Sequence, residues 1–115
     1  MTRRYDKSIW KRLRALAGTA HERELDRALE MLLGQFTDWR TLKIDAFELN
    51  DRIHEFHQKT AREIWKMYVN TGHEEMLVAR AVHLGLLSKE EVGKDLLDQL
   101  DPLIDYWQDD NSDEK

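Results

Sequence analysis

Apolar and polar positions recur with a helical period over residues 46–69. At about 100° per residue, one set of apolar side chains falls in a single band and the charged side chains occupy the opposite arc. The band contains Ala46, Leu49, Ile53, Phe56, Thr60, Ile64 and Met67. A second apolar stripe beside it contains Phe47, Ala61, Trp65 and Tyr68. The pattern predicts a long central helix that contacts two neighbouring helices.

Capping residues divide the rest of the chain into further helices. Four times a Thr, Asp or Ser is followed three positions later by Glu, which is the capping-box pattern of a helix start. The four pairs are Thr19/Glu22, Asp45/Glu48, Thr71/Glu74 and Ser88/Glu91. Gly18 and Gly85 suit the residue after a helix end, and Pro102 indicates a break near Asp101. The predicted helices span residues 4–17, 20–41, 46–69, 72–84, 89–93 and 95–109.

Composition agrees with an all-α protein. The 115 residues include one Pro and five Gly, and the chain is rich in strong helix formers. A chain of this length buries one hydrophobic core. We therefore expect a compact single-domain bundle of five to six helices over residues 1–109, with a disordered acidic tail at residues 110–115.

Several classes of protein are excluded by what the sequence lacks. It has no Cys, so disulfides, thiolate metal sites and Cys nucleophiles are excluded. It contains no apolar stretch of about 18 residues and no signal-peptide core, so we expect no membrane span and a cytoplasmic location, as in a small prokaryotic protein. No nucleophile elbow or phosphate-binding glycine loop occurs. We therefore expect neither an enzyme nor a bound cofactor.

Charge is distributed unevenly around the net value of −5. Residues 1–18 carry a formal charge of +5 and residues 88–115 carry −7. The basic first helix is compatible with a solvated face, with a partner surface, or with phosphate contacts on a nucleic acid, which the acidic total disfavours. A Trp at each charged end can anchor an interface. The candidate partner-binding residues are Arg4, Lys7, Trp10, Lys11, Arg14 and Trp107.

His54 and His57 suggest a metal site as one interpretation of the long helix. With Asp51 they form three candidate ligands at successive three-residue steps. Asp51 is too far along the helix from His57 for all three to meet one ion, so a third ligand such as His73 or His83 has to come from elsewhere. The favoured interpretation places both imidazoles at the edge of the core, packed against Phe47, Trp65 and Tyr68.

Arg14 and His21 suggest a second site. Six residues separate them in the stretch RALAGTAH. This spacing resembles the Arg-x(4–6)-His motif of the HEPN ribonucleases, which are small dimeric helical proteins. The resemblance covers eight residues and implies RNA cleavage with Arg14 and His21 as catalytic residues.

The function that these observations favour is protein–protein interaction. We expect an accessory, adaptor or regulatory protein that binds a protein partner or forms a homodimer. The alternatives are a metal-binding helical protein that uses His54 and His57 with carboxylates, the ribonuclease, and nucleic-acid binding through the basic first helix.

Overall fold

The computed structural model describes the backbone of residues 5–69 and 72–113 and the side chains of residues 5–69 and 72–105. Within these ranges every regular element is a helix and no strand is present, which confirms the predicted all-α class. The elements are α1 (Lys7–Arg40), α2 (Ala46–Glu55), a π-helical segment (Phe56–Thr60), α3 (Ala61–Val69), α4 (Glu74–Leu84), α5 (Lys89–Val92) and α6 (Lys94–Asp113).

The long helix predicted at residues 46–69 is continuous, but it contains a π-helical turn. Asp45 caps its start, because the side chain accepts a hydrogen bond from the Glu48 amide at 2.8 Å. In the π-helical segment the Ala61 amide donates to the Phe56 carbonyl. Phe56 and Ile64 are eight residues apart, about one residue more than two α-helical turns. The wider π turn takes up this extra residue and keeps both side chains on the inner side of the helix.

The predicted helix end at Gly18 is wrong. α1 runs through Gly18 without interruption, and the Thr19 hydroxyl donates to the Ala15 carbonyl at 3.2 Å instead of capping a new helix. Buried residues keep the helical period across this point, with Leu13, Ala17 and Ala20 all on one side. Their burial outweighs the penalty of about 1 kcal/mol for a helical Gly.

The predicted break near Asp101 is also wrong, because α6 continues through Pro102. Leu100 and Ile104 are buried on one side of this helix, whereas Pro102 is exposed. Water can therefore hydrogen-bond the carbonyl that the missing Pro amide leaves unpaired. α6 extends through residues 110–113, where the sequence predicts the start of a disordered tail.

Of the remaining predicted helix boundaries, two are confirmed and one lies outside the described residues. Ser88 and Glu91 form the full capping box before α5, and Gly85 ends α4 in the left-handed conformation at φ 78°, as predicted. His73 occupies the N-cap position of α4, and the Glu74 carboxylate accepts a hydrogen bond from the Gly72 amide at 3.1 Å. Thr71, the predicted cap there, lies outside the described residues.

The chain, predicted as one domain over residues 1–109, divides into two compact units that share α1. The first unit, Met1–Ala20 with Asn70–Lys115, includes the packed pair α4 and α6. It contains thirteen of the sixteen buried hydrophobic residues found among the described side chains. Within this unit Arg12 connects α1 to α5 and α6. It donates to the Val92 carbonyl at 2.8 Å and to the Asp95 carboxylate at 3.2 Å.

The second unit is a helical hairpin, His21–Val69, made of the second half of α1 and the run α2–π–α3. Its buried hydrophobic residues among the described side chains are Ala28, Leu49 and Ile64. A pair of helices that buries so few side chains leaves much of its apolar surface in contact with solvent.

Candidate interaction surface

Polar and aromatic contacts hold the two arms of the hairpin together at both ends. Near the loop, Arg52 donates to the Gln35 side-chain oxygen at 3.0 Å. At the other end, the Tyr68 hydroxyl donates to the Glu24 carboxylate at 2.7 Å, and the Tyr68 ring stacks on the His21 imidazole at 4.6 Å between ring centroids. These pairings show that the arms run antiparallel.

Exposed apolar side chains are concentrated on this hairpin. Eleven large hydrophobic side chains among those described are well exposed, and ten of them belong to residues 21–69. They are Leu29, Met31, Leu33, Phe36, Trp39, Leu42, Phe47, Ile53, Trp65 and Val69. Single exposed apolar residues are ordinary on a protein surface, but a contiguous group marks an interaction site.

Half of these ten side chains belong to one side of the hairpin. On α1, Leu29, Leu33 and Phe36 follow one another at four- and three-residue steps and so lie on one flank. On the other arm, an uncharged strip leads from the start of α2 into the π-helical segment, and all four of its side chains are exposed. The strip consists of Phe47, Asn50, His54 and His57. We call Leu29, Leu33, Phe36, Phe47 and Trp65 the apolar face.

A groove of about 710 Å³ lies on the same side, away from the loop. Its walls come from both arms and combine apolar and polar side chains, none of them acidic. They are formed by His21, Leu25, His57, Gln58, Ala61, Arg62, Ile64 and Trp65. Leu25 connects the groove to the rest of the apolar face, because it lies one helical turn before Leu29. This volume can receive side chains from a docking partner.

The opposite side of the hairpin combines apolar side chains with both acidic and basic ones. A smaller cavity of about 270 Å³ lies there, lined in part by Met31, Gln35, Arg52 and Glu55. Arg52 also forms an ion pair with Glu48 one turn earlier on α2. Met31 is 72% exposed on this side, so it offers an apolar side chain of comparable exposure outside the apolar face.

Leu42 follows the end of α1 in a backbone conformation that favours glycine. Its φ is +66°, its amide donates to the Trp39 carbonyl at 3.1 Å, and the Lys43 amide donates to the Asp38 carbonyl at 2.8 Å. These two bonds form a Schellman motif with Leu42 at the C′ position. Its side chain is 89% exposed, so it gains almost nothing from burial in the chain itself.

The predicted partner-binding residues lie on the other unit or outside the described side chains. Lys7, Lys11 and Arg14 are exposed along α1, and Trp10 is half-buried with its ring edge-to-face on Tyr5, 5.2 Å between centroids. Arg4 and the side chain of Trp107 lie outside the described part. That these residues bind a partner stays a prediction.

The predicted packing of His54 and His57 into the edge of the core is wrong. Both are exposed, as are Phe47 and Trp65. Within the hairpin only α1 packs against this run, and the residues that it buries there are Leu49 and Ile64 of the first apolar stripe. Within the described residues, no group of three or more His, Asp or Glu side chains has the arrangement of a metal site. The sequence placed Phe47 and Trp65 in an apolar stripe but gave no signal that this stripe faces outward.

Arg14 and His21, the two residues of the HEPN-like spacing, both lie inside α1. Arg14 is exposed and His21 is half-buried against Tyr68. The helix end predicted between them does not exist. Their catalytic role stays a prediction.

Comparisons of the chain with protein-family models, with curated proteins and with solved structures found no match. Among the described residues, none of the helices combines the length and the hydropathy required to cross a membrane. The assignment of function therefore depends on the surface chemistry of the hairpin.

Proposed function

We propose that this is a cytoplasmic accessory or regulatory protein that acts through protein–protein contact, and that the apolar face of the hairpin is the contact surface. The observation that carries the proposal is the contrast between the two units. The first unit buries most of the described core, whereas the hairpin exposes ten large apolar side chains and buries only two, Leu49 and Ile64. Covering the apolar face removes five of these ten side chains from water, and each fully buried side chain contributes about 1.5–3 kcal/mol.

Leu42 supports this function independently. A non-Gly residue in the left-handed conformation costs about 1–2 kcal/mol, and this one is exposed at the end of the hairpin. A partner that covers the side chain supplies the compensating burial that the chain alone does not.

Site-specific photo-crosslinking in a native lysate tests the proposal. The photoreactive residue p-benzoylphenylalanine replaces Phe47 in one variant and Glu63 in the control, where it lies on the charged side of α3. We expect covalent protein adducts from position 47 and none from position 63. Adding Leu33→Glu to the first variant should remove these adducts, because a carboxylate then has to be buried at the contact.

Equal labelling at positions 47 and 63, or adducts that survive Leu33→Glu, would contradict the proposal. The first result would mean that the apolar face is not preferentially covered. The second would mean that the contact does not depend on its apolar character.

A further inference from the structure

We propose that the partner that covers the apolar face is a second copy of this chain, docked antiparallel so that the loop end of each hairpin lies over the groove of the other. This inference rests on the proposed function and names its partner. The result is a four-helix bundle made of two hairpins related by a two-fold axis.

The size of the apolar face fits a stable dimer. Given the ordinary accessible areas of such side chains, its five residues expose on the order of 600 Å². A standard-size interface buries about 800 Å² on each partner. The walls of the groove and the side chain of Leu42 supply the difference. A two-fold contact uses the same surface on both copies, so no second apolar surface is required.

The charge of the hairpin also suits a second copy. Residues 21–69 contain eight Lys or Arg and ten Asp or Glu, so two hairpins repel each other little. The strip formed by Phe47, Asn50, His54 and His57 is formally uncharged at pH 7. It can therefore face a copy of itself without burying an unpaired charge.

Shape determines the direction of docking. Phe47 lies towards the loop end and is 84% exposed, more than any other residue of the apolar face, so this half carries the most protruding side chain. The groove of about 710 Å³ occupies the other half. Antiparallel docking places each protruding half over a groove, whereas parallel docking places protrusion on protrusion and leaves the grooves empty.

Sedimentation equilibrium of the purified full chain tests the identity of the partner. We expect a reversible monomer–dimer equilibrium. Leu33→Glu should raise the dissociation constant roughly ten-fold or more, because both copies then bury a carboxylate. Met31→Glu is the matched control, since Met31 is exposed on the opposite side of the same helix, and it should change the constant less than about two-fold. Circular dichroism checks that both variants stay folded.

Disulfide formation between introduced Cys residues tests the direction of docking. The chain has no native Cys that could form competing disulfides. Phe47→Cys mixed with Gln58→Cys should form a mixed disulfide, because Gln58 lines the groove. Phe47→Cys alone should not link to itself, since antiparallel docking separates the two copies of position 47 by about 16 Å along the helix axis, beyond disulfide reach. Phe47→Cys mixed with Met31→Cys is the control and should stay unlinked.

The outcomes separate this inference from the proposed function. A chain that stays monomeric at all concentrations overturns the second copy as partner. If position 47 still forms crosslinks to another protein in the lysate, the contact surface itself is upheld. A disulfide between two copies of position 47, without one between positions 47 and 58, overturns the antiparallel docking.

Discussion

At the residue scale, we expect Leu42 to destabilise the monomer through its backbone conformation and to stabilise the proposed dimer through its side chain. Glycine adopts φ +66° without steric penalty, so Leu42→Gly should raise the free energy of unfolding of the monomer by about 1 kcal/mol. The same change removes the exposed side chain and should weaken the proposed self-association. Urea unfolding at low protein concentration measures the first effect, and sedimentation measures the second.

Leu42→Ala separates the two effects, because Ala keeps a Cβ in the left-handed conformation but loses the apolar side chain. We expect this variant to associate weakly without being stabilised. A stabilisation equal to that of Leu42→Gly would show that the backbone conformation of Leu42 is not strained.

Asp95 should make part of the stability depend on pH. The hydrogen bond from the Arg12 guanidinium lowers the pKa of Asp95 below its ordinary value of 3.8, and the Leu96 amide adds to this shift. A depressed pKa in the folded state stabilises the protein above pH 3.8, and this contribution is lost as the pH falls through the folded pKa. Asp95→Asn should therefore be less stable than the wild type at pH 6, and the difference should shrink towards pH 2.

Unfolding curves recorded across this pH range measure the effect of Asp95→Asn. In an Arg12→Gln background the same substitution should produce a smaller pH-dependent difference, because the main cause of the shift has been removed. If Asp95→Asn produces an equally large pH-dependent difference in the Arg12→Gln background, the pH dependence arises from groups other than Arg12 and Asp95.

At the element scale, local signals predicted the starts at Asp45 and Ser88 and the end at Gly85, but the predicted start at Thr19 is wrong. Asp45 and Ser88 cap helices as predicted, since their side chains reach a backbone amide within the next turn whatever the rest of the chain does. Gly18 and Pro102 look like stops in isolation, but buried neighbours on the same helix face continue the helix through both. Whether burial outweighs a weak breaker depends on tertiary packing, which the local pattern does not contain.

Substituting Ala for Gly tests which glycines lie inside a helix and which lie at a junction between helices. A Cβ added to Gly18 or Gly34 meets no atom within 4 Å, so Gly18→Ala and Gly34→Ala should each stabilise the protein by about 1 kcal/mol. Gly93 lies between α5 and α6 at φ +93°, and its Cβ would come within 3.1 Å of the Arg12 guanidinium. Gly93→Ala should therefore destabilise the protein by about 1–3 kcal/mol. Thermal unfolding measures all three, and a stabilising Gly93→Ala would contradict this account of the junction.

At the scale of the whole molecule, the sequence identified which residues are apolar but not which of them are covered. The period over residues 46–69 predicted two buried stripes, but only Leu49 and Ile64, both in the first stripe, are buried. Helical periodicity shows that side chains share a face, but the number of neighbours that cover this face is a property of the assembled chain. The apolar face of the hairpin was therefore missed as a candidate site, although Phe47 and Trp65 were placed on one stripe.

The unequal cores of the two units should appear in amide hydrogen exchange. In dilute protein we expect amides of the hairpin to exchange faster than those of α4 and α6, because few buried contacts oppose local opening of the hairpin. At concentrations well above the dimer dissociation constant, hairpin exchange should slow by about ten-fold or more, since association stabilises the closed state by mass action. Leu33→Glu should remove this concentration dependence and Met31→Glu should keep it. Hairpin amides as protected as those of α4 and α6 at every concentration would mean that the hairpin is stable alone and that its exposed apolar face does not limit its stability.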